Sequence, residues 1–146
     1  MPKATFEARY ENLRRICEFV SSTAKRAGLD DSAAYAVELA TNEACTNIIE
    51  HGYGGESDNR IECSIEADDG GVTVVLLDWC RPFDPSGVAE ADFAVPLEKL
   101  NPRGAGLRLI RGSMDEVQFE PIPGTGNRLT MRKSWDRAIR GPGSSE

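Results

Sequence analysis

Residues 36–51 form the most regular pattern in this sequence, because apolar and polar positions both recur there at helical spacing. The apolar set is Ala36, Val37, Ala40, Ala44 and Ile48. This spacing predicts a helix that packs one face on a core. Glu43, Asn47 and His51 recur beside that face, and four residues turn an ideal α-helix by about 400°, so these side chains should form one wall. Such a row suits a binding or catalytic site, and it equally suits a half-buried helix edge whose polar groups satisfy each other.

The length and the charge of the chain limit its class. With 146 residues we expect one domain over residues 1–140 and a disordered tail at 141–146. The net charge of −7 argues against a general nucleic-acid binder, because binding a phosphate backbone requires a basic surface. No apolar run approaches the roughly 18 residues that cross a bilayer, and residues 1–5 lack the apolar region of a secretory leader, so we expect a cytoplasmic protein with no membrane partner.

The four cysteines, Cys17, Cys45, Cys63 and Cys80, are widely spaced and form no Cys-x-x-Cys pair. Because Cys17, Cys45 and Cys63 fall on apolar faces of predicted elements, we expect reduced core thiols rather than disulfides or zinc ligands. Metal binding through sulfur is therefore not expected.

The order of the predicted elements indicates an α+β fold. A first helix over residues 9–27 is followed by Gly28, a typical residue after a helix C-terminus, and Asp30 is a candidate cap for the second helix. Alternation over residues 61–67, a turn at 68–71 and a buried run at 72–77 predict a hairpin, and residues 117–133 predict another. Together they predict a two-layer sandwich, with helices on one face of a mixed, mostly antiparallel sheet.

Asp78 comes directly after the buried run. Strand ends that lead into loops often carry ligand-binding groups, and a carboxylate there can accept a hydrogen bond from an amino group in a pocket. Beside a proline-containing loop, the same residue can instead form only a turn. The weak periodicity of residues 86–101 predicts a lid over such a pocket.

A glycine-containing segment precedes a predicted short helix. Gly104 and Gly106 would let the backbone approach a phosphate at the helix N-terminus, and Arg103 is placed to bind its charge. Two glycines before a helix are a weak signal and often form only a tight turn. Residues 103–140 hold eight of the 17 Lys and Arg residues but four of the 24 Asp and Glu residues. This positive patch suits a small phosphorylated ligand or an acidic partner, or it consists of solvated surface residues.

Taken together, these motifs resemble the ATP-binding domain of bacterial anti-sigma factor serine kinases, in the wider group that includes gyrase B and the histidine kinases. The resemblance rests on four motifs in order: Glu43-x-x-x-Asn47-x-x-x-His51, Asp78 with residues 82–85, Gly104-Ala105-Gly106-Leu107, and residues 126–131. It covers residues 8–133, and four ordered motifs are more specific than any one of them. The implied fold is the Bergerat fold of histidine-kinase-like ATP-binding domains.

The resemblance implies ATP and Mg²⁺ as cofactors. It assigns Glu43 as the base that takes the proton of an attacking hydroxyl group, and Asn47 as a ligand of Mg²⁺. Asp78 would accept a hydrogen bond from the adenine amino group, and His51 would also belong to the nucleotide site.

The remaining implied site residues lie in the second half of the chain. Gly104, Gly106 and Leu107 would offer backbone groups to the phosphates beside Arg103. Asn127 takes the position of a threonine that helps to hold adenine in many relatives. The implied phosphate acceptor is a serine or threonine of an anti-anti-sigma (STAS-type) protein, and the implied second partner is a sigma factor, bound by a homodimer.

At one position the sequence departs from the family pattern. The loop after the aspartate usually reads Asp-x-Gly, and here Cys80 occupies the glycine position. A glycine there would allow a positive φ or a close approach to the nucleotide, which a cysteine hinders. Two functions follow: an ATP-dependent anti-sigma factor kinase, favoured by Glu43 and Asn47, and a non-catalytic partner-switching module of the same fold, favoured by Cys80.

Overall fold

The computed structural model describes residues 2–80, 110 and 112–134. The helices are α1 (Leu13–Ala27) and α2 (Asp31–Asn47), and the strands are β1 (Lys3–Glu7), β2 (Arg60–Asp68), β3 (Gly71–Asp78), β4 (Glu116–Ile122) and β5 (Gly126–Ser134). A short 3-10 helix, Tyr10–Asn12, precedes α1, and a π-helix, Ile48–Gly52, continues α2. The predicted lid (86–101), the glycine segment (103–107) and the tail (141–146) lie outside the described residues.

The described strands form one sheet in the order β1-β2-β3-β5-β4, and every described pair of neighbours is antiparallel. The register places Cys63 opposite Leu76 and Leu76 opposite Leu129, so inward side chains meet across the sheet. The same register places Asn127 of β5 opposite Asp78 of β3. The predicted mostly antiparallel sheet is confirmed.

The core lies between the helices and one face of the sheet. Helix α1 contacts α2, β2 and β3. Its buried residues are Ile16, Cys17, Val20 and Ala24, and the buried apolar residues of β2 and β3 include Ile61, Cys63, Ile65, Val72, Val74 and Leu76. Fully burying one large aliphatic side chain contributes about 1.5–3 kcal/mol, so this single interface accounts for much of the driving force for folding. The predicted two-layer sandwich is thereby confirmed.

The link between the helices follows the local sequence. Gly28 has a φ of 123°, which favours glycine, and its N–H donates to the carbonyl groups of Ala24 and Lys25 over 3.2 and 3.0 Å. The Asp30 side chain then caps α2 by accepting a hydrogen bond of 2.8 Å from the Ala33 N–H. Both predicted helix boundaries are confirmed.

The hairpin between β2 and β3 is closed by Asp68. Its Oδ1 accepts hydrogen bonds from the Gly70 and Gly71 N–H groups at 2.7 and 3.0 Å. The Arg132 guanidinium binds the same carboxylate through two N–H groups, at 2.8 Å to Oδ1 and 3.0 Å to Oδ2. Hydrogen bonds from Arg132 are the main reason that the pKa of Asp68 is lowered to about 2.

The four cysteines are buried, and no disulfide joins them in the described chain, which includes all four. Burial raises the pKa of Cys17 to about 11 and that of Cys63 to about 12, so both thiols stay protonated at neutral pH. The predicted reduced core thiols are confirmed. None of the helices in the described part of the chain has the length and apolar character that a membrane span requires.

Candidate functional site

Glu43 and Asn47 lie one turn apart near the C-terminal end of α2. Both are half-buried, next to the buried Ala44 and Ile48. Neither side chain forms a hydrogen bond or ion pair with any other residue that the structure describes. These two residues therefore do not form a helix edge whose polar groups satisfy each other. Their oxygen atoms are available as acceptors for groups of a ligand.

The chain changes to a π-helix, Ile48–Gly52, before it reaches His51. The Tyr53 N–H donates to the Ile48 carbonyl over 2.8 Å, a step of five residues. A four-residue step is close to one full turn in either kind of helix, so the predicted row of Glu43, Asn47 and His51 stays a prediction. His51 is exposed, and its Nε2 lies 3.9 Å from Oε1 of Glu50. Short π-helical segments of this kind frequently occur at functional sites.

Asp78 is buried at the end of β3, with 7% of its surface exposed. Its Oδ1 accepts a hydrogen bond of 2.9 Å from Nδ2 of Asn127 and one of 3.0 Å from the Cys80 N–H. Asn127 is itself 2% exposed. The structure thus brings together two residues that the sequence predicted separately, and the two hydrogen bonds fix the plane of the carboxylate.

Gly126 makes this contact possible, although the sequence prediction did not include it among the site residues. A Cβ atom at Gly126 would overlap the carbonyl oxygen of Asp78 and would lie 2.7 Å from the Cα of Trp79. Only a glycine allows β5 to approach the end of β3 this closely. The signal in the sequence was a glycine at the first position of a strand, directly before Asn127.

Cys80 is accommodated by a second glycine. Cys80 is 6% exposed and belongs to the hydrophobic core. A Cβ atom at Gly52 would lie 2.5 Å from the Sγ of Cys80, so the cysteine side chain occupies the space that a larger residue at position 52 would need. No non-glycine residue in the described ranges has a positive φ, so Cys80 adopts an ordinary backbone conformation. The backbone freedom of a glycine is therefore not needed at position 80, which removes that part of the predicted hindrance.

Tyr53 is a further residue of the site that the sequence analysis did not predict. Its hydroxyl group donates to the Arg60 carbonyl over 2.6 Å and accepts from the Trp79 N–H over 2.9 Å. The end of the π-helix is therefore hydrogen-bonded to the start of β2 and to the segment that follows Asp78. A single tyrosine after a helix carries no sequence signal for such a role.

The described site thus has two parts that are joined at the end of the π-helix. On α2, Glu43 and Asn47 offer oxygen atoms, and at the end of β3, Asp78 offers an oriented carboxylate acceptor. Gly52 packs against Cys80, which places the helix end beside the strand end. The predicted phosphate-binding residues Arg103, Gly104, Gly106 and Leu107 lie outside the described residues, so their roles remain predictions.

Comparison with known proteins gives a consistent result. A family model described as the histidine kinase-like ATPase domain matches residues 6–133. The serine-protein kinase RsbW of Halalkalibacterium halodurans is 28% identical over 115 residues, which cover 76% of this chain and 70% of that protein. The anti-sigma F factor of Clostridium novyi is 30% identical over 102 residues, covering 66% of this chain and 68% of that protein.

Among solved structures, the histidine kinase domain of the blue-light activated histidine kinase EL346 from Erythrobacter litoralis matches with a TM-score of 0.56 and 15% identity. The match covers 87% of this chain and 61% of that one. At this identity, the likeness shows the fold alone.

Proposed function

The chain belongs to the histidine kinase-like ATPase domain family, and from this premise we propose that it is an ATP-dependent protein serine/threonine kinase and anti-sigma factor. The observation that carries the proposal is the buried Asp78 carboxylate, oriented by Asn127 and by the Cys80 N–H. The names of these two relatives, a serine-protein kinase and an anti-sigma factor, support both activities.

We assign adenine recognition to Asp78. Both described hydrogen bonds of its carboxylate use Oδ1, so Oδ2 is the atom that we assign to the adenine amino group. Burial strengthens such a hydrogen bond, because water competes poorly at a site that is 7% exposed. A guanine base presents a carbonyl oxygen at the same position, and the carboxylate would repel it.

We assign the chemical step to α2. Glu43 is the base that accepts the proton as the acceptor hydroxyl oxygen forms its bond to the γ-phosphorus, while the bond from that phosphorus to the ADP oxygen breaks.

Asn47 is the protein ligand that we assign to Mg²⁺, which supplies positive charge to the phosphates when bound. Its amide suits this ion, because it is half-buried and has no hydrogen-bond partner among the described residues. Within residues 2–80, 110 and 112–134, no three His, Cys, Asp or Glu side chains cluster as a complete metal site. A magnesium ion here would therefore depend on phosphate and water oxygens in addition to Asn47.

We assign the phosphates to the backbone of Gly104, Gly106 and Leu107, with Arg103 binding their charge. His51 is the further residue that we place at the nucleotide site. The motif order in the sequence supports both assignments.

The partners that we propose are a sigma factor, which the protein sequesters, and an anti-anti-sigma protein of the STAS type, which it phosphorylates on serine or threonine. We further propose that residues 1–140 form the ATP-binding domain and that the protein acts as a homodimer in the cytoplasm. The net charge of −7 supports protein partners rather than direct binding to nucleic acid. A non-catalytic module of the same fold is not proposed, because Cys80 packs into the core against Gly52 in an ordinary conformation.

Calorimetric titration of the purified chain with ATP and GTP, each with and without Mg²⁺, tests the nucleotide part. We expect one ATP per chain, tighter binding with Mg²⁺, and little affinity for GTP. A folded chain that binds neither ATP nor ADP would overturn the proposal. Co-purification with sigma factors from the same organism tests the anti-sigma part, and failure of every one to bind would contradict it.

A further inference from the structure

We propose that Tyr53 is a positioning residue for adenine recognition, because its hydroxyl group holds the segment that follows Asp78 against the end of the helix that carries Glu43 and Asn47. This inference rests on the proposed function, since it takes Asp78 as the acceptor for adenine.

The contacts of Tyr53 connect three elements. Its N–H donates to the Ile48 carbonyl over 2.8 Å, so its backbone is fixed to the π-helix. Its half-buried ring packs against the hydrophobic core. Its hydroxyl group donates to the carbonyl of Arg60 over 2.6 Å and accepts from the N–H of Trp79 over 2.9 Å. The phenol thus bridges the π-helix, the first residue of β2 and the residue next to Asp78.

In the segment that Tyr53 holds, residues 79 and 80, both backbone N–H groups donate hydrogen bonds. The Trp79 N–H binds the tyrosine hydroxyl, and the next N–H, that of Cys80, binds Oδ1 of Asp78. The Arg60 guanidinium carbon lies 4.6 Å from the centroid of the Trp79 ring, a cation–π contact that holds the side chain as well. Without the Tyr53 hydroxyl, the Trp79 N–H and the Arg60 carbonyl lose a partner at once, and the orientation of the Asp78 carboxylate is less restricted.

The protonation state of Tyr53 suits this double role. Burial raises the pKa of Tyr53 to about 12, so the hydroxyl keeps its proton at neutral pH. It can therefore donate to one backbone group and accept from another at the same time.

Tyr53→Phe removes only this hydroxyl group. With ATP, we expect KM to rise about five- to twenty-fold, as for the loss of one or two hydrogen bonds, while kcat at saturating ATP changes less than about two-fold. The preference of Tyr53→Phe for ATP over ITP should fall, because the inosine base lacks the amino group from which Asp78 accepts a hydrogen bond. Tyr10→Phe is the matched control: its hydroxyl donates to Glu50 over 2.8 Å, and its loss should leave KM and the ATP/ITP ratio unchanged.

A measurement without nucleotide tests separately whether the Tyr53 hydroxyl group restrains Trp79. In a Trp135→Phe background, Trp79 is the remaining tryptophan, and Tyr53→Phe should increase quenching of its fluorescence by acrylamide. Unchanged quenching, or an equal loss of ATP and ITP affinity in a folded variant, would overturn the positioning role and leave the proposed function intact. If the parent chain itself binds no adenine nucleotide, the proposed function fails, and the adenine role of Tyr53 fails with it.

Discussion

Replacing Asp78 with asparagine tests the adenine assignment with a minimal change of shape. The native Oδ1 accepts hydrogen bonds from the Cys80 N–H and from Nδ2 of Asn127. An asparagine can keep both only if its own oxygen occupies the Oδ1 position, because the reverse orientation would place an N–H₂ group against two donors. Its N–H₂ group then occupies the Oδ2 position and faces the adenine amino group, so two donors meet.

The expected loss follows from that geometry. A hydrogen bond to a charged group contributes about 1.5–3 kcal/mol, and leaving a buried donor unpaired costs a further 1–3 kcal/mol or so. The two amount to about 2.5–6 kcal/mol, and since each 1.4 kcal/mol is about tenfold in Kd, we expect Asp78→Asn to weaken ATP binding by about sixtyfold at the least and by about 10⁴-fold at the upper end.

Isothermal titration calorimetry with ATP and ADP measures this loss, and circular dichroism checks the fold. Asp68→Asn is the matched control, because Asp68 lies at the opposite end of the β2–β3 hairpin. It should leave the Kd for ATP unchanged. An Asp78→Asn variant that is folded and binds ATP with the parental affinity would refute the assignment of adenine to this carboxylate.

Three further predictions concern stability. Gly126→Ala should lower the free energy of unfolding by about 1–3 kcal/mol or more, because its Cβ would overlap a β3 carbonyl, whereas Gly112→Ala, with nothing within 4 Å, should be nearly neutral in thermal denaturation. The pKa of Asp68 is lowered to about 2 from 3.8 by its arginine partner, so the stabilisation is complete above pH 4 and is lost as the pH falls towards 2. The difference in melting temperature between the parent and Asp68→Asn should shrink over that range, and a constant difference would contradict the ion pair. Gly52→Ala should destabilise the fold through its overlap with the sulfur of Cys80, and adding Cys80→Ala should recover about 1 kcal/mol or more in a double-mutant cycle, whereas additive effects would contradict the contact.

The sequence predicted the elements well wherever the determining interactions were local. The boundary between the helices follows from Gly28 and Asp30, which act on backbone groups within four residues. The hairpin at Asp68 likewise depends on neighbouring N–H groups. Periodicity also placed Glu43 and Asn47 on one side of a helix, because both lie in a regular α-helix.

Features that depend on distant pairing could not be predicted. The Asp78–Asn127 hydrogen bond joins residues that are 49 positions apart, and it depends on the β3–β5 register. The need for glycine at position 126 also becomes visible only once β5 lies against the end of β3. The π-helix at Ile48–Gly52 was not predicted either, because the five-residue hydrogen bond from the Tyr53 N–H to the Ile48 carbonyl is not encoded in apolar periodicity.

Transfer of labelled phosphate from ATP to a STAS-type acceptor, by the parent, Glu43→Ala and Asn47→Ala, tests the proposed kinase most directly. The parent should phosphorylate the acceptor on serine or threonine. Glu43→Ala should bind Mg-ATP with parental affinity but transfer phosphate about 10²-fold or more slowly, as expected for loss of a general base. Asn47→Ala should lose both transfer and the Mg²⁺-dependent part of ATP affinity. Transfer by Glu43→Ala at the parental rate, or no transfer by the parent to any acceptor, would contradict the proposed function.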